Sequence, residues 1–101
     1  MVIIERQIQK VRAGKWAELE DLDRKFTAVE GPLGFPAKRR CRCLVGGLTT
    51  DRLIIERQWE SFAAMEAAYE KALTNPKHQA LSAEAELILG SQQIEFYVPL
   101  P

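Results

Sequence analysis

Two glutamates in identical surroundings are the residues best suited to chemistry. Glu5 and Glu56 each sit inside Ile-Ile-Glu-Arg-Gln, at residues 3–7 and 54–58, an offset of 51. If the two segments run side by side in register, both carboxylates point to the same face. Two carboxylates close together in a partly enclosed space do not both ionise cheaply, so one holds a proton near neutral pH. That state suits general acid or base work. The same glutamates can equally bond to Gln7, Gln58 or arginines as a polar network at an interface.

The other candidates are fewer. His78 is the single histidine; it can act as a base, ligate haem iron, or simply face solvent or cap a helix. Cys41 and Cys43 share a strand face and supply at most two soft ligands, where a zinc site usually takes four. No metal site and no cofactor is expected. Their neighbours Arg39, Arg40 and Arg42 favour a thiolate, although a pair of small apolar residues on an edge strand explains them as well. Gln93 and Tyr97 share a face with Glu95 and can line a pocket with Gln7 and Gln58, and Trp59 is either core or pocket wall.

Several function classes lack support. Lys38-Arg39-Arg40-Cys41-Arg42 is the only dense basic run. It has no interleaved aromatics, and the positions where ferredoxin-like RNA binders carry stacking rings are Glu and Gln here. No nucleic-acid partner is expected; a charged edge strand that resists sheet-to-sheet pairing is simpler. No phosphate-cradling glycine loop, zinc-protease motif or nucleophile elbow occurs. The net charge is zero, which provides no global pull towards nucleic acid or anionic lipid. Residues 1–50 hold ten Lys/Arg and six Asp/Glu against four and eight in residues 51–101, an asymmetry that can orient one copy against another. No apolar run approaches a bilayer span, the start lacks the order of a signal peptide, and two cysteines one residue apart make no disulfide framework. A cytoplasmic protein with no membrane partner is the expectation.

The elements that position these residues follow from periodicity. Val2 to Val11 alternates as a strand. After Ala13-Gly14, residues Trp16, Leu19, Leu22, Phe26 and Val29 mark an amphipathic helix. A stiff loop follows at Gly31-Pro32-Leu33-Gly34-Phe35-Pro36. Ala37–Val45 and Arg52–Glu60 read as a hairpin joined by a turn over 46–51. Ser61 caps a helix bearing Phe62, Met65, Tyr69, Ala72 and Leu73. Asn75-Pro76 starts a short helix through His78 and Leu81, then a turn or helix runs to Leu89 and Gly90 ends it. Gln92–Val98 is the last strand.

That order, β-α-β-β-α-β over a single domain of residues 1–101, predicts a ferredoxin-like α+β sandwich. Its four-stranded antiparallel sheet carries helices on one face. The five-residue identity, each copy followed by a helix, suggests a duplicated half. Ile4, Arg6 and Ile8 with Ile55, Arg57 and Trp59 are the more apolar alternates, so they are expected under the helices. Glu5, Gln7 and Gln9 with Glu56, Gln58 and Glu60 are then expected on the open side.

These residues resemble the dimeric α+β barrel superfamily, and most of all its NIPSNAP-like family, which is related to the antibiotic-biosynthesis-monooxygenase-like proteins. The resemblance rests on Ile4-Glu5-Arg6-Gln7 in the first strand, Ala13-Gly14-Lys15-Trp16 opening the first helix, and Ile94-Glu95-Phe96-Tyr97-Val98-Pro99 in the last strand. Ala13 departs from a frequent Pro and Gln9 from a frequent aromatic. The resemblance implies that two copies pair through their open sheet faces as a dimeric α+β barrel, a homodimer enclosing a cavity for a small apolar or aromatic ligand. It implies a NIPSNAP-like protein of uncharacterised activity. The alternatives are a cofactor-independent monooxygenase or isomerase of small aromatic substrates, and a non-catalytic structural or regulatory dimer. The Asn, Trp and His with which some relatives degrade haem have no matching pattern here.

Overall fold

Alternation of β-branched residues, a change to a period near 3.6 and well-placed caps define the elements of the computed structural model, which describes residues 1–47 and 49–101. Strand β1 is Ile3–Val11, helix α1 is Trp16–Glu30, β2 is Lys38–Arg42, β3 is Arg52–Trp59, α2 is Phe62–Leu73, α3 is Pro76–Ile88 and β4 is Leu89–Tyr97. A 3₁₀ turn, Gly31–Leu33, follows α1 and ends at Gly34, whose φ of 97° suits a residue without a Cβ. Ser61 Oγ accepts from the Ala64 N–H, and Asn75 Oδ1 accepts from the His78 N–H, so both later helices begin with a side-chain cap. Leu48, inside the turn expected at 46–51, lies outside the described residues. Among the described residues no helix is long and apolar enough to cross a membrane.

The sheet order is β2-β3-β1-β4, and every neighbouring pair is antiparallel. Helices pack on one face only. Leu19 and Leu22 of α1, with Leu81 and Ile88 of α3, bury against Val11, Leu53 and Ile55. Ala68 and Ala72 of α2 bury against Ile3, Trp59 and Phe35. Small residues on α2 let that helix approach the indole of Trp59 closely.

Three expectations are corrected. The four-stranded antiparallel sheet is present, but it is open and does not close as a barrel. Among the described residues β2 pairs only with β3 and β4 only with β1, leaving an edge on each side, and closing a sheet into a barrel takes more strands than four. The last helix is one continuous element through Ile88, and Gly90 enters β4 rather than ending the helix. At that point the β1–β4 register shifts between Lys10 and Val11, and a Cβ on Gly90 would lie 3.4 Å from the Lys10 side chain.

The third correction concerns the faces of β1. Cross-strand partners point the same way, and Ile3 lies opposite Trp59, Glu5 opposite Arg57 and Gln7 opposite Ile55. β3 presents Leu53, Ile55, Arg57 and Trp59 to the helices as expected, but β1 presents Ile3, Glu5, Gln7, Gln9 and Val11. The antiparallel register also sets Arg6 opposite Glu56. Glu5 and Glu56 therefore lie on opposite faces and share no proton. Residues of β1 and β3 that share the helix face, such as Ile3 and Ile55, are an even number of positions apart, whereas the repeated pentapeptides are 51 apart. A slip of one residue inverts every side chain, so the pentapeptide identity is not a structural repeat.

Candidate functional site

A cavity of about 730 Å³ lies between the sheet and the helices. Its sheet side carries Gln7, Gln9, Arg57 and Gln92, with Leu53, Ile55 and Ile94; Leu19, Leu22 and Phe26 of α1 and His78 and Ala85 of α3 stand across from them. The sheet floor and the helix roof are both mixed in character, because Asp23 and Glu30 of α1 and Ser82 and Glu86 of α3 also line the roof. On β4, Ile94 and Phe96 point to the helix side beside Gln7 and Glu5, yet they are 44% and 45% exposed. The helices leave that edge uncovered, and the cavity opens there beside Ile94.

A buried polar network supports the floor. Glu5 is 1% exposed. Its carboxylate accepts from Trp59 Nε1 at 2.8 Å, from the Tyr69 hydroxyl at 2.7 Å and from Gln7 Nε2 at 2.5 Å. Arg57 Nη1 stands 3.6 Å away. Taking a carboxylate out of water is costly unless it is paired and bonded; here β3 and α2 each supply a donor, Gln7 of β1 itself supplies a third, and Arg57 of β3 supplies a countercharge. Arg57, 6% exposed, donates through Nη2 to Glu30 Oε1 at 2.6 Å. The other oxygen of Glu30, Oε2, is 3.0 Å from His78 Nε2. Gln9 Nε2 reaches Gln7 Oε1 and Gln92 Oε1, each at 3.3 Å, and extends the floor to β4.

Aromatic rings seal one end. Phe35, from the loop before β2, meets Trp59 at 5.3 Å and Tyr69 at 5.1 Å between ring centroids, both edge-on. It stacks with the His78 ring at 6.2 Å, and the Arg57 guanidinium lies 5.1 Å from its centre. Phe26 meets His78 edge-on at 5.3 Å. The imidazole is thus held between two rings and a carboxylate.

Burial and the bond to Glu5 push the Tyr69 hydroxyl well above the ordinary tyrosine range. A folded-state value raised above the unfolded one, about 10, means the bond's stabilisation is complete below that pH. It is lost as pH climbs from there through the folded value. Tyr69→Phe should cost about 1.5–3 kcal/mol at neutral pH, the range for a bond to a charged group. It should also remove the share of the alkaline pH dependence that Tyr69 contributes. Urea unfolding of both proteins at neutral and strongly alkaline pH measures this; parallel losses in the two proteins would contradict it.

The basic run on β2 divides by alternation. Lys38 Nζ lies 2.5 Å from Asp23 Oδ1 and 3.9 Å from Glu30 Oε1. Arg40 forks onto Glu20 at 2.7 and 3.0 Å, which holds the Glu20 carboxyl below its usual range. Arg42 sits 4.1 Å over the Trp16 ring. All three face α1, and Arg39 faces the other way, opposite Glu56. The acids in the first half of α1 thus serve as partners for this edge strand.

The expected site residues separate accordingly. Gln7 and His78 line the cavity, Glu5 lies beneath it, and Trp59 is buried at the sealed end as an anchor for Glu5. Glu56, Gln58, Gln93 and Tyr97 belong to the open face, where Tyr97 pairs across from Ile4, Gln93 from Ile8 and Gln58 from Ile4. Tyr97 donates to Glu95 there, and that bond raises its hydroxyl pKa. Cys41 is exposed on that face opposite Ile54. Among the described residues no group of three or more His, Cys, Asp and Glu is placed to hold a metal ion. Arg57, Glu30, Tyr69 and Phe35 were not singled out by the sequence as site residues. Arg57 is a charge in an otherwise apolar strand face, and that is the one feature of the sequence that points towards them.

Sheet order and helix layer define a ferredoxin-like α+β fold with a cavity between its two layers. The fold is the one seen in NIPSNAP proteins. The chain is similar to a NIPSNAP family protein from Agrobacterium tumefaciens with a TM-score of 0.85, 20% identity, and coverage of 99% of this chain and 94% of that one. An uncharacterized NIPSNAP-like domain protein from Burkholderia xenovorans superposes with a TM-score of 0.83 at 17% identity, over 98% of this chain and 85% of that one. SnoaB, a cofactor-independent oxygenase from Streptomyces nogalater, superposes with a TM-score of 0.74 at 13% identity, over 97% and 92%. No protein-family model and no curated protein matches the chain.

Proposed function

We propose that this chain is a NIPSNAP-like protein that binds a small apolar or aromatic molecule between its sheet and helices. The observation that carries the reading is the cavity of about 730 Å³, open beside Ile94 and lined by apolar side chains from both layers together with placed polar ones. A volume of this size is in the range of small-molecule sites, which are mostly apolar with a few placed polar groups. The fold shared with NIPSNAP proteins supports the same reading. Ile94→Trp tests it, because Ile94 is half exposed and its enlargement blocks the mouth without disturbing the core. Titration with a panel of aromatic phenols and ketones should show binding to the wild type and at least about tenfold weaker binding to the variant, the effect of about 1.4 kcal/mol. Equal affinities, or no binding to either protein, would refute the cavity as the site.

The same reading includes a homodimer through the open sheet face. One row across that face runs Arg39, Glu56, Arg6 and Glu95 in alternating sign, beside Ile4, Ile8 and Ile54. Such a row can meet its own copy in antiparallel orientation with opposite charges facing. Sedimentation equilibrium should give a dimer for the wild type and a monomer for Ile8→Glu. A wild-type monomer at high micromolar concentration would contradict it. The likeness to an oxygenase described as cofactor-independent favours, as the second reading, a cofactor-independent monooxygenase or isomerase of small aromatic substrates working in the same cavity.

A further inference from the structure

Within the cavity, one side chain retains an unused proton-accepting atom beside the space for a ligand. His78 Nε2 lies 3.0 Å from Glu30 Oε2. The other oxygen of Glu30 accepts from Arg57 at 2.6 Å, with Lys38 at 3.9 Å. A carboxylate held by these cations accepts hydrogen bonds and donates none, so Nε2 carries the proton. Nδ1 then carries the lone pair. Among the described residues nothing pairs with Nδ1, and His78 is part of the cavity wall. The ring cannot easily turn away, because Phe26 and Phe35 flank it.

We propose that Glu30 and His78 act as a pair on the ligand of this cavity, with Nδ1 of His78 taking the proton of a weakly acidic hydroxyl, a phenol or an enol. The inference rests on the cavity reading and gives its ligand a chemical class. The O–H bond breaks, the N–H bond forms at Nδ1, and the electron pair stays on the ligand oxygen. The imidazolium formed is stabilised by the Glu30 carboxylate. Imidazolium and Arg57 together provide the positive field for the phenolate or enolate. A carboxylic acid would arrive already ionised and bring no proton; an alkyl alcohol holds its proton too tightly for an imidazole. Proton transfer is effective when donor and acceptor are matched near the working pH, which leaves phenols and enols. Glu30 touches no ligand in this scheme: it is a positioning residue, and His78 is the group that meets the substrate.

The test uses 4-nitrophenol, whose phenol and phenolate absorb differently. It is bound one pH unit below the probe's own pKa, where about one molecule in ten is ionised when free. Binding to the wild type should raise the phenolate fraction about fivefold, the effect of a one-unit shift from a single opposite charge. Glu30→Gln and His78→Gln should bind the probe with the fraction left near its free value. Nitrogen NMR of the wild type without probe should show His78 protonated at Nε2, a readout that needs neither variant to fold. A probe bound wholly as the neutral phenol would overturn the pair and leave the cavity reading standing. So would a phenolate fraction in both variants as high as in the wild type, or a wild-type Nδ1–H tautomer. Failure of 4-nitrophenol and of the wider panel to bind would instead remove the cavity reading, and the pair with it.

Discussion

Glu5→Ala is expected to destabilise the protein by about 3–5 kcal/mol, the cost of leaving three buried donors without their acceptor and of removing one of the two carboxylates beside Arg57. Glu5 is 1% exposed and is the acceptor shared by Trp59, Tyr69 and Gln7, with Arg57 at 3.6 Å. Deleting it strands the indole N–H, the phenol and the amide in a space that water enters poorly, and leaves Arg57 balanced by Glu30 alone. Urea unfolding followed by tryptophan fluorescence measures the loss, since Trp59 reports on the site directly. Arg57→Met in the Glu5→Ala background should cost less than in the wild type, by about 0.5–3 kcal/mol, because the two groups belong to one network. Additive losses would show that Glu5 and Arg57 act separately. A loss under about 1 kcal/mol for Glu5→Ala alone would mean that the network is hydrated and contributes little.

Phe35→Ala is expected to cost a similar amount, about 3–5 kcal/mol, by cavity formation. Phe35 is buried and is the only side chain in ring contact with Trp59, Tyr69 and His78 together, among the described residues. Its removal should also loosen the imidazole, which would then rest against Phe26 and Glu30 alone. Two measurements separate these effects. Denaturant unfolding gives the stability loss, and NMR exchange broadening at the His78 ring gives the mobility. A stable Phe35→Ala protein with an unbroadened ring would refute the role given to this loop residue. The result bears on the cavity because the loop carrying Phe35 closes its aromatic end.

Both predictions concern residues whose importance was only partly legible beforehand. The element order was legible, since strand alternation, the helical stripe from Trp16 to Val29 and the caps at Ser61 and Asn75 are local signals. The β3 faces were legible too, because Leu53, Ile55 and Trp59 outweigh the single Arg57. β1 misled for a definite reason. Counting apolar residues assigns Ile4 and Ile8 to the core, and the count assumes that a buried face is apolar. Here the buried face includes Glu5, Gln7 and Gln9 because partners more than 50 residues away satisfy Glu5. Phe35 was hidden in a proline- and glycine-bounded loop, where no periodicity marks a buried position.

By itself the sequence determined the succession of elements and hence the ferredoxin-like arrangement of one four-stranded antiparallel sheet under helices. It also identified His78 and Gln7 as candidates, although not what they adjoin. Only the tertiary structure decided which face of β1 is buried, that the repeated pentapeptide is one residue out of phase, and that the sheet stays open. Local periodicity follows from backbone geometry and can be read along the chain. The environment of a charged side chain is fixed by strand register and by donors from distant segments, and in this protein Arg57, Trp59 and Tyr69 make the burial of Glu5 possible.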